Sequence, residues 1–138
     1  MSDRDEILEL SARYMHALDL DDREAWLSCW TEDGYFERYR STNRARGIEE
    51  LGRRIFDKPE RPHGFHITSD FAVTVDGDTA TVQCYLLFLN EQKRCEVSMF
   101  GIYRDRLRRT PGGWRYAERI FEPKYILESI PNVMVDAP

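Results

Sequence analysis

From Ile67 to Leu89 the chain reads Ile-Thr-Ser-Asp-Phe-Ala-Val-Thr-Val-Asp-Gly-Asp-Thr-Ala-Thr-Val-Gln-Cys-Tyr-Leu-Leu-Phe-Leu. Apolar and polar residues alternate here with a period of two, broken by Asp76 and Gly77, the pair that makes a tight hairpin turn. Ile67, Phe71, Val73 and Val75 are expected on one face of the first strand, with His66, Thr68, Asp70 and Thr74 on the other. The second strand, Thr79 to Leu89, is apolar on both parities from Cys84 onward, so both of its faces are expected to be covered.

Working outward, Glu91 to Arg94 turns the chain, and Cys95 to Leu107 reads as a long third strand. Pro111, Gly112 and Gly113 turn it again into a strand from Trp114 to Phe121, leaving residues 124–138 as a C-terminal tail. Upstream the period changes. Ile7, Leu8, Leu10, Ala12, Tyr14, Met15 and Leu18 recur every three to four residues, the mark of an amphipathic helix from Asp3 to Leu18. Asp21 or Asp22 caps a shorter helix, with Glu24 completing a capping-box pattern and Ala25, Trp26, Cys29 and Trp30 on its apolar side. Tyr35 to Tyr39 reads as a short strand, and Gly47 opens a third helix, Ile48 to Phe56, stopped by Pro59 and Pro62. Helices followed by an antiparallel meander make an α+β fold, a curved sheet packed on its N-terminal helices, in one domain spanning residues 1–138.

Composition narrows the function classes. The 138 residues are 41% hydrophobic and 12% aromatic, enough for one core. A net charge of -5 argues against nucleic acid and against an anionic membrane surface as partners. Cys29, Cys84 and Cys95 are scattered, and the opening residues show no signal-peptide pattern, so reduced thiols and a cytoplasmic location are expected.

The stretch Ala12 to Glu37, Ala-Arg-Tyr-Met-His-Ala-Leu-Asp-Leu-Asp-Asp-Arg-Glu-Ala-Trp-Leu-Ser-Cys-Trp-Thr-Glu-Asp-Gly-Tyr-Phe-Glu, resembles the SnoaL-like branch of the nuclear-transport-factor-2-like superfamily. So do Gly47 at the head of the third helix, Phe65-His66-Ile67-Thr68, the segment from Val75 to Ala80, and Gly113-Trp114-Arg115. The resemblance implies a cone, a curved sheet wrapped round a long helix with a pocket at its open end. It leaves activity open, because the superfamily holds dehydratases, isomerases, hydrolases, cyclases, non-catalytic dioxygenase subunits and ligand binders.

Three residues are candidates for chemistry. Asp19 ends a helix, where the helix dipole opposes a negative charge, so a donor is expected beside it; His66 is the natural one, and N-capping of the next helix is the alternative. Tyr14, five residues earlier, is rotated by about 140° from Asp19 on a continuous helix and is either a polarising phenol or a core aromatic. Tyr14, Asp19 and His66 look like the tyrosine, aspartate and histidine of bile-acid dehydratase relatives, and Asp19 and His66 also match scytalone dehydratase relatives. The general-base aspartate of ketosteroid isomerases is matched by Arg38, which cannot take up a proton. Whether His63 or His66 is the pocket histidine stays open, as does an exposed His66.

Trp30, Tyr35, Phe88 and Phe100 are candidates for contact with a small hydrophobic ligand. Three histidines with no thiolate pair beside them give little for a metal to hold, and no cofactor is expected. The arginines 104, 106 and 108 read as a solvated strand end. The reading that follows is a cofactor-independent dehydratase or isomerase for a cyclic hydroxy-ketone, steroid-like or polyketide-like, forming a homodimer through the outer face of its sheet. The alternative is a non-catalytic binding protein or a partner like the small subunit of aromatic-ring dioxygenases, which the segment Ala25 to Tyr35 resembles.

Overall fold

Ser2 and Asp22 set where the two N-terminal helices begin. The Ser2 hydroxyl accepts the Asp5 N–H at 3.1 Å, and the Asp22 carboxylate accepts that of Ala25 at 3.1 Å. The second cap thus falls on Asp22, while Asp21 takes a left-handed backbone (φ 58°) and turns the chain between the helices. In a computed structural model, which describes residues 1–94 and 96–126, the elements are α1 (Asp3–Asp19), α2 (Arg23–Ser28), β1 (Trp30–Arg38), β2 (Arg44–Arg46) and α3 (Ile48–Glu50), then β3 (Gly64–Asp76), β4 (Thr79–Asn90), β5 (Glu96–Thr110) and β6 (Gly113–Ile126). The third helix is a single α turn that widens into a π-helical coil over Leu51–Phe56. The position of Cys95 and most of the expected tail, residues 127–138, lie outside the described residues; residues 124–126 continue β6 past Pro123.

The four-stranded meander is present as β3 to β6, and the sheet is wider than the sequence suggests. Its order is β2-β1-β6-β5-β4-β3, with β1 parallel to β6 and every other pairing antiparallel. The inner face carries Ala80, Val82, Cys84, Leu86 and Phe88 of β4, with Tyr103, Leu107, Tyr116 and Phe121 from β5 and β6. These bury the apolar side of α1, Ile7, Leu10, Tyr14 and Leu18, together with Trp26.

Two expectations about faces change. The register of β3 against β4 shifts between Ser69 and Ala72, where Asp70 stands at φ 58°. This bulge switches parity: His66 and Thr68 share the inner face with Phe71 and Val73, whereas Ile67 is exposed on the outer face. The second expectation concerns β4. Tyr85 and Leu87 remain 51% and 41% exposed, so within one chain its outer face is uncovered.

The inner face also holds a charged pair. Asp105 and Arg119 are cross-strand partners on β5 and β6, both side chains fully buried, joined by two hydrogen bonds of 2.8 and 2.9 Å. The guanidinium lies against the rings of Tyr14, Tyr103 and Tyr116 at 4.6, 3.7 and 4.4 Å. Burial pushes the Asp105 carboxyl up, and Arg119 pulls it back. Removing one partner strands the other as an unpaired buried charge. Asp105→Ala is therefore expected to lower stability by about 3–5 kcal/mol, read as a fall in the urea midpoint with the slope unchanged.

Candidate functional site

Asp19 is the last residue of α1, and its carboxylate reaches across to the start of β3. The His66 backbone N–H donates to Asp19 Oδ2 at 3.1 Å, and the imidazole Nδ1 lies 2.6 Å from Oδ1. A carboxylate only accepts, so Nδ1 carries the proton and Nε2 is left as the basic atom. The two side chains are 14% and 8% exposed. Arg61 completes the helix end, donating to the Leu18 carbonyl at 3.2 Å and pairing with Asp21 at 2.6 Å. A cation there offsets the dipole that would otherwise oppose Asp19.

The imidazole packs on Phe88, its cross-strand partner, with ring centroids 4.7 Å apart. Both line a cavity of about 90 Å³ that opens outward to solvent. Its walls are Leu18, Trp26, Phe36, Ile55, Leu86, Met99 and Phe121, with polar groups from Tyr14, Arg38, Asn43, Tyr103 and His66. Lys58, Glu60, Arg61 and Pro62 form the rest of the lining. Burial pushes the Tyr14 phenol up to about 12, with Arg119 pulling it back, so Tyr14 is a neutral hydrogen-bond donor at any physiological pH.

Tyr14 and His66 thus meet at one cavity, and Asp19 does not. Asp19 lies behind His66, which resolves the rotation of about 140° between Tyr14 and Asp19: the imidazole bridges from the helix end to the cavity wall. His63 is outside the cavity, half exposed, with Nδ1 3.7 Å from Asp21. Of the four candidate ligand contacts, Phe88 lines the cavity. Trp30 is buried against Tyr14, Trp26 and Tyr116. Tyr35 bonds to Glu37 at 2.6 Å under Arg46, and Phe100 stacks on Tyr125 on the outer face; none of these three lines the cavity. Strand parity explains Phe100, which pairs with Leu87 on the outer side. Among the described residues no cluster of three or more His, Cys, Asp or Glu side chains is placed to hold a metal, and no helix is long and apolar enough to cross a membrane.

Arg38 and Tyr103 were not among the candidates. The signal for Arg38 was present: two residues after Phe36 on a strand, it shares that residue's inward face. Tyr103 carries no such signal, being one of several aromatics on inward parity.

Residues 1–120 match the model of the SnoaL-like domain. A single-residue variant of Rv3472, a protein of unknown function from Mycobacterium tuberculosis, is 33% identical over 94% of this chain and 76% of its own, with a TM-score of 0.79. A protein of unknown function with a cystatin-like fold from Nostoc punctiforme is 26% identical over 94% and 95%, TM-score 0.80. An NTF2-like protein with a cystatin-like fold from Novosphingobium aromaticivorans is 30% identical over 92% and 83%, TM-score 0.77. Among curated proteins none matches the chain.

The bond from Asp19 fixes one tautomer. Long-range ¹⁵N–¹H NMR is expected to show neutral His66 protonated at Nδ1. In Asp19→Ala the tautomers mix, and stability falls by about 1.5–3 kcal/mol, the worth of a hydrogen bond to a charged group.

Proposed function

Because the chain belongs to the SnoaL-like domain family, we propose that its cavity is the active site of a cofactor-independent dehydratase or isomerase working by acid–base chemistry on a small cyclic hydroxy-ketone. The observation that carries this reading is the Asp19–His66 pair at the cavity wall. His66 Nε2 removes the proton next to the ligand's carbonyl, and the electron pair moves onto the carbonyl oxygen as an enolate. Tyr14 donates to that oxygen. In dehydration the enolate re-forms the carbonyl and expels the β-hydroxyl, which leaves as water with the proton from the imidazolium, giving an enone. In isomerisation of a ligand with a C=C beyond the deprotonated carbon, the enolate is a dienolate, and the proton returns to its far carbon as the double bond moves next to the carbonyl. Asp19 positions the ring and stabilises its charged form between the two transfers.

Apolar walls suit a hydrophobic body and strengthen the polar groups by excluding water. The enclosed volume of about 90 Å³ is below the roughly 300–1,000 Å³ of common small-ligand pockets. The reacting ring is therefore held inside, and any steroid-like or polyketide-like remainder extends through the mouth. His66→Gln keeps a donor for Asp19 but has no basic nitrogen. It is expected to keep the wild-type melting temperature while the rate of enone formation from a hydroxy-ketone panel, followed by ultraviolet absorbance, falls about 10²–10⁴-fold. Equal rates in the two proteins sink the proposal.

The outer sheet face favours self-association. Phe65, Ile67, Tyr85, Leu87, Phe100 and Tyr125 are exposed on neighbouring strands and form one apolar patch. We assign to this patch a homodimer contact, in place of the dioxygenase-like partner of the alternative reading. Light scattering is expected to give the mass of two chains, and Leu87→Glu the mass of one. A monomeric wild type overturns the assignment.

A further inference from the structure

We propose that the cavity is built for an organic acid, and that Arg38 binds its carboxylate. The proposal rests on the cavity being a ligand site and names the class of ligand, independently of whether that ligand is turned over.

Arg38 ends β1 on the inner face, in register with Phe121 of β6, and its side chain lines the cavity. β1 and β3 lie four places apart in the sheet. Arg38 and His66 can line one hollow because the sheet curls between them. The Arg38 Nε is buried without a hydrogen-bond partner, and among the described residues no carboxylate lies within ion-pairing distance of the guanidinium.

The other two cations of the lining are in a different condition. Lys58 lies 3.7 Å from Glu60, and Arg61 pairs with Asp21 and donates to the Phe56 and Leu18 carbonyls. Arg38 is thus the cation of the cavity with unspent hydrogen-bonding capacity. Burial weakens its hold on its proton, with Tyr103 acting the other way, yet a guanidinium does not give that proton up within the physiological range.

An unpaired buried cation is costly. Its planar fork of donors matches a carboxylate in two-point geometry, and such charge-assisted pairs are the strong ones in a dry site. Phe36, Leu86, Met99 and Phe121 give the walls an apolar part, beside the polar Tyr14, Asn43, Glu60 and Tyr103, and that part suits a hydrocarbon ring better than a hydrated phosphate. A carboxylate held at Arg38 is a handle remote from the reacting carbons, and its binding energy fixes the ring against His66.

Isothermal titration of the full chain with three matched pairs tests this: benzoate and benzamide, cinnamate and cinnamamide, 2-naphthoate and 2-naphthamide, with inorganic phosphate as a fourth probe. At least one acid is expected to bind ~10–100-fold tighter than its amide, the worth of a hydrogen-bonded charge pair, and phosphate is expected not to bind. Arg38→Gln is expected to abolish the preference while keeping or raising the melting temperature, since it removes an uncompensated charge. His66→Gln is expected to retain the preference.

Several results overturn the proposal. These are equal affinity within all pairs, no binding of any acid, a preference that survives in Arg38→Gln, or its loss in His66→Gln, which would make the imidazolium the anchor. A lower melting temperature for Arg38→Gln would show a structural ion pair and overturn it as well. Acid binding without turnover leaves this site standing and removes the dehydratase reading; turnover without acid preference does the reverse.

Discussion

The buried pair of Asp105 and Arg119 is the constraint on which the interior depends. Two charges at zero exposure are tolerated because they share two hydrogen bonds, through Nε and Nη2 of Arg119, and because three tyrosine faces surround the guanidinium, whose Nη1 alone has no hydrogen-bond partner. One of those tyrosines, Tyr14, belongs to α1, and the other two belong to the sheet. The helix therefore docks on its sheet through a cation, with one register for the contact. Apolar residues of equal volume could be as stabilising, but they would give α1 no directional contact with the sheet. Tyr14 and Tyr103 form this cage and also line the cavity, so whatever fixes Arg119 fixes two of the polar groups a ligand meets.

A second link closes the other side. The end of α1 is tied to the start of β3 by Asp19, which takes both the backbone N–H and the ring of His66. β3 must approach β4 very closely there: a Cβ on Gly64 would collide with the Leu89 carbonyl oxygen. The bulge at Asp70 then lets the same strand present His66 inward at one end and Phe71 and Val73 inward at the other. Without that extra residue, one of the two groups would face solvent. The site is thus held by backbone features as much as by the side chains that carry chemistry.

Much of this was legible in the sequence. The change of period at Pro62, the turns at Asp76-Gly77 and Gly112-Gly113, and the helix break after Asp19 set the order of the elements, apart from the three-residue β2. The demand of Asp19 for a donor follows from the helix dipole alone. What could not be read is whatever depends on three-dimensional closure. The bulge leaves no mark in the hydrophobic alternation: Ile67 and Phe71 are in phase along the chain, and only the extra residue between them puts them on opposite faces. The apolar Tyr85 and Leu87 were read as covered because burial was assumed within one chain. Phe100 and Tyr35 were candidate ligand contacts by residue type, whereas strand parity, set by pairing with Leu87 and Glu118, turns them outward. The parallel pairing of β1 with β6 joins the first strand to the last and has no local signal at all.

The treatment of charge elsewhere sharpens the meaning of the cavity. Several surface arginines are matched: Arg23 with Asp57, Arg53 with Glu49, Arg104 with Glu122, Arg108 with Asp33, and Arg109 with Asp3 and Asp78. Each such pair is worth little in water, so an exposed arginine can do without an acid at small cost. In the core, where the gain is large, Arg119 has Asp105. Arg38 has no such acid although its Nε is buried, where a missing partner costs more, and it stands in the same hollow that receives the His66 ring. A fold selected for stability alone would have placed a leucine there or supplied an acid. Keeping a guanidinium whose buried Nε has no partner in a partly apolar hollow is the arrangement of a surface whose partner arrives from outside, and the tolerated loss of stability sets the scale of the affinity that the partner can draw on.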